Sequence, residues 1–145
     1  MKLRLAITAL VIASPALAEP TSEEYALMAR KAASVWACAA LADYTGNNTD
    51  ATRLFSLGYE SGKTFVEGVK AKKINREDWS NHVPMIFGGM MNGPSTDFAV
   101  GRMYEAMLSG TIKGVWDASP VDQSDGALKY KARDMYRKQN CSLLK

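Results

Sequence analysis

Cys38 and Cys141 stand near opposite ends of this 145-residue chain, which contains no other cysteine. The segment ahead of them turns the pair into a folding constraint. Residues 1–18 hold a short basic start (Lys2, Arg4), an apolar run from Leu5 to Ala13, and a small-residue end, Ala16-Leu17-Ala18. Those are the three parts of a secretory signal peptide, with cleavage expected before Glu19. The run is far shorter than the roughly 20 residues that span a bilayer, so no transmembrane segment is expected in the mature protein. Disulfides persist in exported proteins. A Cys38–Cys141 bond would close a loop of about 100 residues, worth up to about 4.7 kcal/mol in the chain-entropy account. Two free thiols are the competing reading. A zinc site has less support, because neither cysteine has another Cys or a His at ligand spacing.

The rest of the chain reads as helices joined by turns. Thr21-Ser22-Glu23-Glu24 is a capping box, and Tyr25, Met28, Ala32, Val35, Ala39 and Ala42 follow at spacings of three and four. Gly46-Asn47-Asn48 ends that helix. A second, capped by Thr49 and Asp50, runs to about Lys72 and stacks Leu54, Gly58, Gly62 and Val66 on one row. Each glycine costs a helix about 1 kcal/mol against alanine, which is reasonable if a neighbour packs closely there. Gly101 is the candidate for the facing surface. Asn75 opens a short third helix through Trp79 that Pro84 interrupts. The apolar run Met85 to Met91 after it is expected to be buried. Asn92-Gly93-Pro94-Ser95 is a turn, and Ser95 or Thr96 caps a fourth helix closed by Ser109-Gly110.

Residues 111–126 read as mostly loop, with Trp116 and Val121 as its anchors. A last helix, about Asp125 to Gln139, carries Leu128, Ala132 and Met135 on its stripe and delivers Cys141 just past its end. Nothing alternates with period two between turns. The expected fold is all-α: a compact bundle of about five helices stapled by one disulfide, with a signal peptide at 1–18 and one helical domain at 19–145.

Charge narrows the function. The formal net charge of +3 includes Lys2 and Arg4, so the exported part is close to neutral and gives no case for nucleic-acid binding. The charge is unevenly placed, however. Beyond Gly126 there are six cations (Lys129, Lys131, Arg133, Arg137, Lys138, Lys145) against one anion, Asp134. Lys129, Arg133 and Arg137 recur every four residues and line up on one helix face. They form either a solvated face or a docking patch for an acidic partner.

Three other constellations carry chemistry. His82, Met85, Met90 and Met91 combine imidazole with thioethers, a donor set suited to copper, although methionine is also the adaptable filler of cores. Glu60, Arg102 and Glu105 can form a structural ion pair that fixes packing. The carboxylates of Glu60, Asp97 and Glu105 could serve a hydrolase, but no supporting motif accompanies them. There is no phosphate loop, nucleophile elbow or haem motif, and no cofactor is implied. The leading expectation is a periplasmic or secreted, non-catalytic helical protein. It would bind an envelope protein partner, in the manner of inhibitors, immunity proteins, exclusion factors or chaperones. The alternatives are a copper-binding protein and a carboxylate-based hydrolase.

Overall fold

The computed structural model describes residues 19–145, so the signal-peptide reading of residues 1–18 lies outside the described residues. Five α-helices follow: α1 (Ser22–Tyr44), α2 (Asn48–Lys70), α3 (Arg76–His82), α4 (Thr96–Asp117) and α5 (Asp125–Lys138). Short 3-10 turns lie at Met85–Gly89 and Cys141–Leu143, and no strand occurs among the described residues. The architecture is an all-α bundle with a Cys38–Cys141 disulfide.

The helix starts follow local chemistry. At α1 the Thr21 hydroxyl accepts from the Glu24 amide at 3.2 Å, and the Glu24 carboxylate accepts from the Thr21 amide at 2.7 Å. That is the reciprocal capping box. Asn75, Ser95 and Ser124 accept in the same way from Asp78, Phe98 and Ala127. At α2 the cap is Asn47, whose side chain accepts from the Asp50 amide at 3.2 Å, rather than Thr49 or Asp50. Asn47 comes immediately after Gly46, whose φ of +79° reverses the chain at a conformation where a β-carbon is costly.

The helix α1 is the axis of the bundle and packs against all four others. Its alanines explain this. Ala26, Ala29, Ala32, Ala33, Ala39, Ala40 and Ala42 are all buried, so the helix is thin on several sides and its neighbours can close around it. Trp36 is the largest exception, and it is fully buried. The glycine row of α2 accommodates this ring. A β-carbon at Gly62 would lie 2.6 Å from the Trp36 ring, and one at Gly58 would collide with the indole's five-membered edge. Gly68 makes the same concession to Tyr25, at 2.5 Å. Gly101 is not the matching surface. It lies exposed on α4 with nothing within 4 Å of the added carbon, because the space that α2 leaves is filled by an indole and not by a second backbone.

Three apolar clusters result. The main one joins Trp36 to Phe65, Val66, Phe87, Val100 and Met103. A second surrounds the cystine with Val35, Ala39 and Leu54, and a third joins Leu41 to Val115, Leu128 and Ala132. The third corrects the reading of residues 111–126. Helix α4 continues through Gly110 and Gly114 to Asp117. Burial of Val115 against α1 and α5 outweighs the roughly 1 kcal/mol each glycine costs. Trp116 and Val121 anchor nothing, being 47% and 98% exposed. The run Met85–Met91 is likewise only partly inside. Phe87 is fully buried, whereas Met85 is 95% exposed, since a single 3-10 turn directs only one side into the core.

Candidate docking site

The four groups of residues singled out in the sequence have different fates in the fold. His82 closes α3 against α1. Its Nε2 lies 3.7 Å from Glu23 Oε1, its Nδ1 is buried without a partner, and Arg30 donates to the neighbouring Asn81 carbonyl at 2.6 Å. Met85 projects into solvent, whereas Met90 and Met91 pack on the main core. Met85 therefore does not share the setting of Met90 and Met91. Among the described residues no three His, Cys, Asp or Glu side chains gather as a metal site would need.

The expected ion pair among Glu60, Arg102 and Glu105 does not form. Arg102 donates to the carbonyls of Asn92 at 3.0 Å and Gly89 at 3.3 Å, with its guanidinium 5.9 Å from the Phe98 ring centre. The turn after the Met85–Gly89 segment lays bare carbonyls within its reach, and it ties that turn to α4. Ser109 donates to Glu105 at 3.2 Å, and Tyr59 donates to Asp97 at 2.7 Å. That bond to a carboxylate holds the Tyr59 hydroxyl above its ordinary range. Glu60 stands exposed. The three carboxylates thus have separate surroundings and share no cleft.

The basic helix forms a different arrangement. Lys129 is neutralised by Asp125, one turn earlier, at 3.0 Å. Asp134 gives its closer oxygen to Lys138 at 2.8 Å, and Arg137 reaches it only at 3.9 Å. These cations hold the Asp134 carboxyl below its ordinary range, the Lys138 bond most of all. Arg133 is exposed and makes no ion pair or side-chain hydrogen bond among the described residues. Arg133 and Arg137 border a groove of about 470 Å³ between α5 and the α1–α2 turn, lined also by Ala42, Thr45, Gly46, Asn47, Tyr130 and Tyr136. The tyrosines and the turn were not legible as site residues. Tyr130, three residues before Arg133, was the only local signal.

One wall of the groove is rigid. The Tyr136 hydroxyl donates to Asp50 at 2.7 Å, and the same carboxylate receives Arg53 at 3.0 Å. Arg53 also donates to the Leu144 carbonyl at 2.5 Å, and Leu144 packs on the cystine cluster. The start of α2, the end of α5 and the chain terminus are thereby tied together. Burial, followed by the Asp50 bond, pushes the Tyr136 hydroxyl up to about 12, and the Tyr136 bond, followed by Arg53, pulls the Asp50 carboxyl down.

A pH dependence follows from the Tyr136 shift. An unfolded tyrosine titrates near 10, so between about pH 10 and 12 the folded state holds a proton that the unfolded state has lost. The stabilisation is complete below that window and disappears as pH rises through it. The melting temperature of the wild type should therefore fall more steeply over this range than that of Tyr136→Phe. Parallel curves would mean that folding does not shift the Tyr136 hydroxyl.

No described helix is long and apolar enough to cross a membrane. No family model, curated protein or solved structure matches the chain.

Proposed function

We propose that this is an exported, non-catalytic protein of the cell envelope that docks an acidic protein partner on α5. Arg133 and Arg137 carry the reading: two exposed guanidiniums one turn apart, of which one has no internal acid and the other only a distant one. On the same helix Lys129 and Lys138 each pair with an acid four residues earlier, whereas Arg133 is left for an external one. Export is supported by the composition of residues 1–18 and fits a fold closed by a disulfide, which oxidising compartments maintain. The separate surroundings of Glu60, Asp97 and Glu105 give a two-carboxylate hydrolase no support, and the exposure of Met85 gives copper binding none.

The test is capture from envelope extract by the wild-type protein and by Arg133→Glu/Arg137→Glu. Both positions are exposed, so the fold should survive the reversal. A specific partner should be held by the wild type, released as salt rises, and not held by the reversed protein. A partner retained by both would remove α5 from the interface.

A further inference from the structure

We infer that the groove between the α1–α2 turn and α5 accepts an acidic segment of a protein partner, a loop or chain end in which carboxylates adjoin an aromatic side chain. The inference rests on the docking role proposed above and specifies what is recognised and where.

Size limits the occupant first. A groove of about 470 Å³ lies toward the lower end of the roughly 300–1,000 Å³ range of ligand clefts. It holds one or two side chains, whereas a helix about 10–12 Å across would rest on its rim. Charge limits it next. The groove is lined by two guanidiniums and no carboxylate, and Arg133 and Arg137, four residues apart, can converge on one acidic group. Guanidinium forks match carboxylates in paired hydrogen bonds, a geometry that lysine cannot reproduce.

The α1 terminus does not oppose this. Its last carbonyls would repel an anion if bare. Here Ala42 O accepts from the Asn47 amide and Asp43 O from the Gly46 amide, each at 2.9 Å.

The walls explain the aromatic requirement. Tyr130 is 67% exposed, a large ring left uncovered at the groove edge beside the two arginines. Tyr136 cannot swing out to cover it, because its hydroxyl is held by Asp50. Tyrosine with arginine is the composition of binding hot spots, and an arginine over an aromatic face adds attraction. A bare anion would use the guanidiniums and leave Tyr130 idle.

The experiment titrates isotope-labelled protein and follows its amide resonances. Three probes are compared: an acetylated Gly-Gly-Trp-Glu-Asp peptide, its uncharged counterpart Gly-Gly-Trp-Gln-Asn with an amidated end, and inorganic phosphate. The acidic peptide should shift Thr45, Gly46, Tyr130 and Arg133 together. The uncharged peptide should bind at least about tenfold more weakly, as loss of charge-assisted bonds requires. Arg133→Gln and Tyr130→Ala should each weaken the acidic peptide by about tenfold, whereas Arg76→Gln on α3 should change nothing. Phosphate that shifts the same residues at the same concentration, with Tyr130→Ala without effect, would overturn the inference in favour of a simple anion site. Shifts elsewhere, or equal binding of the two peptides, would also overturn it. If the groove stays silent while charge reversal still abolishes partner capture, the groove reading falls and docking on α5 stands. If the peptide fills the groove while the partner ignores the reversal, the groove reading is supported and the docking role is what fails.

Discussion

Replacing Cys38 and Cys141 together by alanine should lower the unfolding free energy by about 4 kcal/mol, read from urea denaturation as a lower midpoint with a steeper slope, because the unlinked denatured chain exposes more surface. The bond joins residues 103 apart in sequence, and loop-closure entropy for a cross-link of that span is worth up to about 4.7 kcal/mol. The figure is large against the roughly 5–15 kcal/mol of a whole domain. Both cysteines are buried, at 2% and 0% exposure, in the cluster that includes Val35 and Leu54, so the change also removes packing. Its local effect should fall on the terminal segment, where Cys141 precedes the anchors that Leu144 offers to Arg53 and to the same cluster. A midpoint within error of the wild type would mean that the bundle is closed by packing alone. Two alkylatable thiols in the unreduced native protein would mean that the bond is absent.

The glycine row gives the second large effect. Gly62→Leu must displace the Trp36 ring, since even a β-carbon would lie 2.6 Å from it, and overpacking of this kind costs about 1–3 kcal/mol. Gly101→Ala on α4 meets nothing within 4 Å. It should be neutral or stabilising by up to about 1 kcal/mol, the ordinary gain in helix propensity. Chemical denaturation of the two variants separates the explanations. Equal destabilisation would mean that glycine at both places serves something other than the indole. A neutral Gly62→Leu would mean that α2 does not grip Trp36.

These two cases also mark what the sequence can and cannot disclose. The capping box at Thr21 and the α5 boundaries were legible because their determinants lie within four residues of one another. The close approach at Gly58 and Gly62 was legible as well, since glycine in a helix has a cost that something must offset. What approaches was not, because Trp36 lies on another helix and a periodicity of three and four does not say which neighbour it faces. Helix α4 was read short for a related reason. Gly110 and Gly114 oppose a helix locally, and the contact that overrides them, Val115 with Leu41 and Leu128, is tertiary.

The candidate site divides along the same line. Arg133 and Arg137 stood out by their spacing. The neutralisation of Lys129 by Asp125 is an i,i+4 pair and could have been read from the sequence. The groove beside them could not, because Thr45, Gly46 and Asn47 come from a turn some ninety residues earlier. The expected use of Arg102 failed because a guanidinium's donors can also be taken up by carbonyls, and the turn at 89–92 presents two of them within reach.

The central claim is tested most directly by calorimetry of the captured partner with the wild type and with Arg133→Glu/Arg137→Glu. The titration is repeated as ionic strength rises from about 0.1 M to about 1 M, which shortens the screening length from about 10 Å to about 3 Å. The wild type should bind more weakly with each increase in salt, and the reversed protein, folded by circular dichroism, should bind far more weakly at the lowest salt. Affinity that ignores both the salt and the reversal would contradict docking on α5 and would shift attention to the apolar surface around Trp79 and Met85.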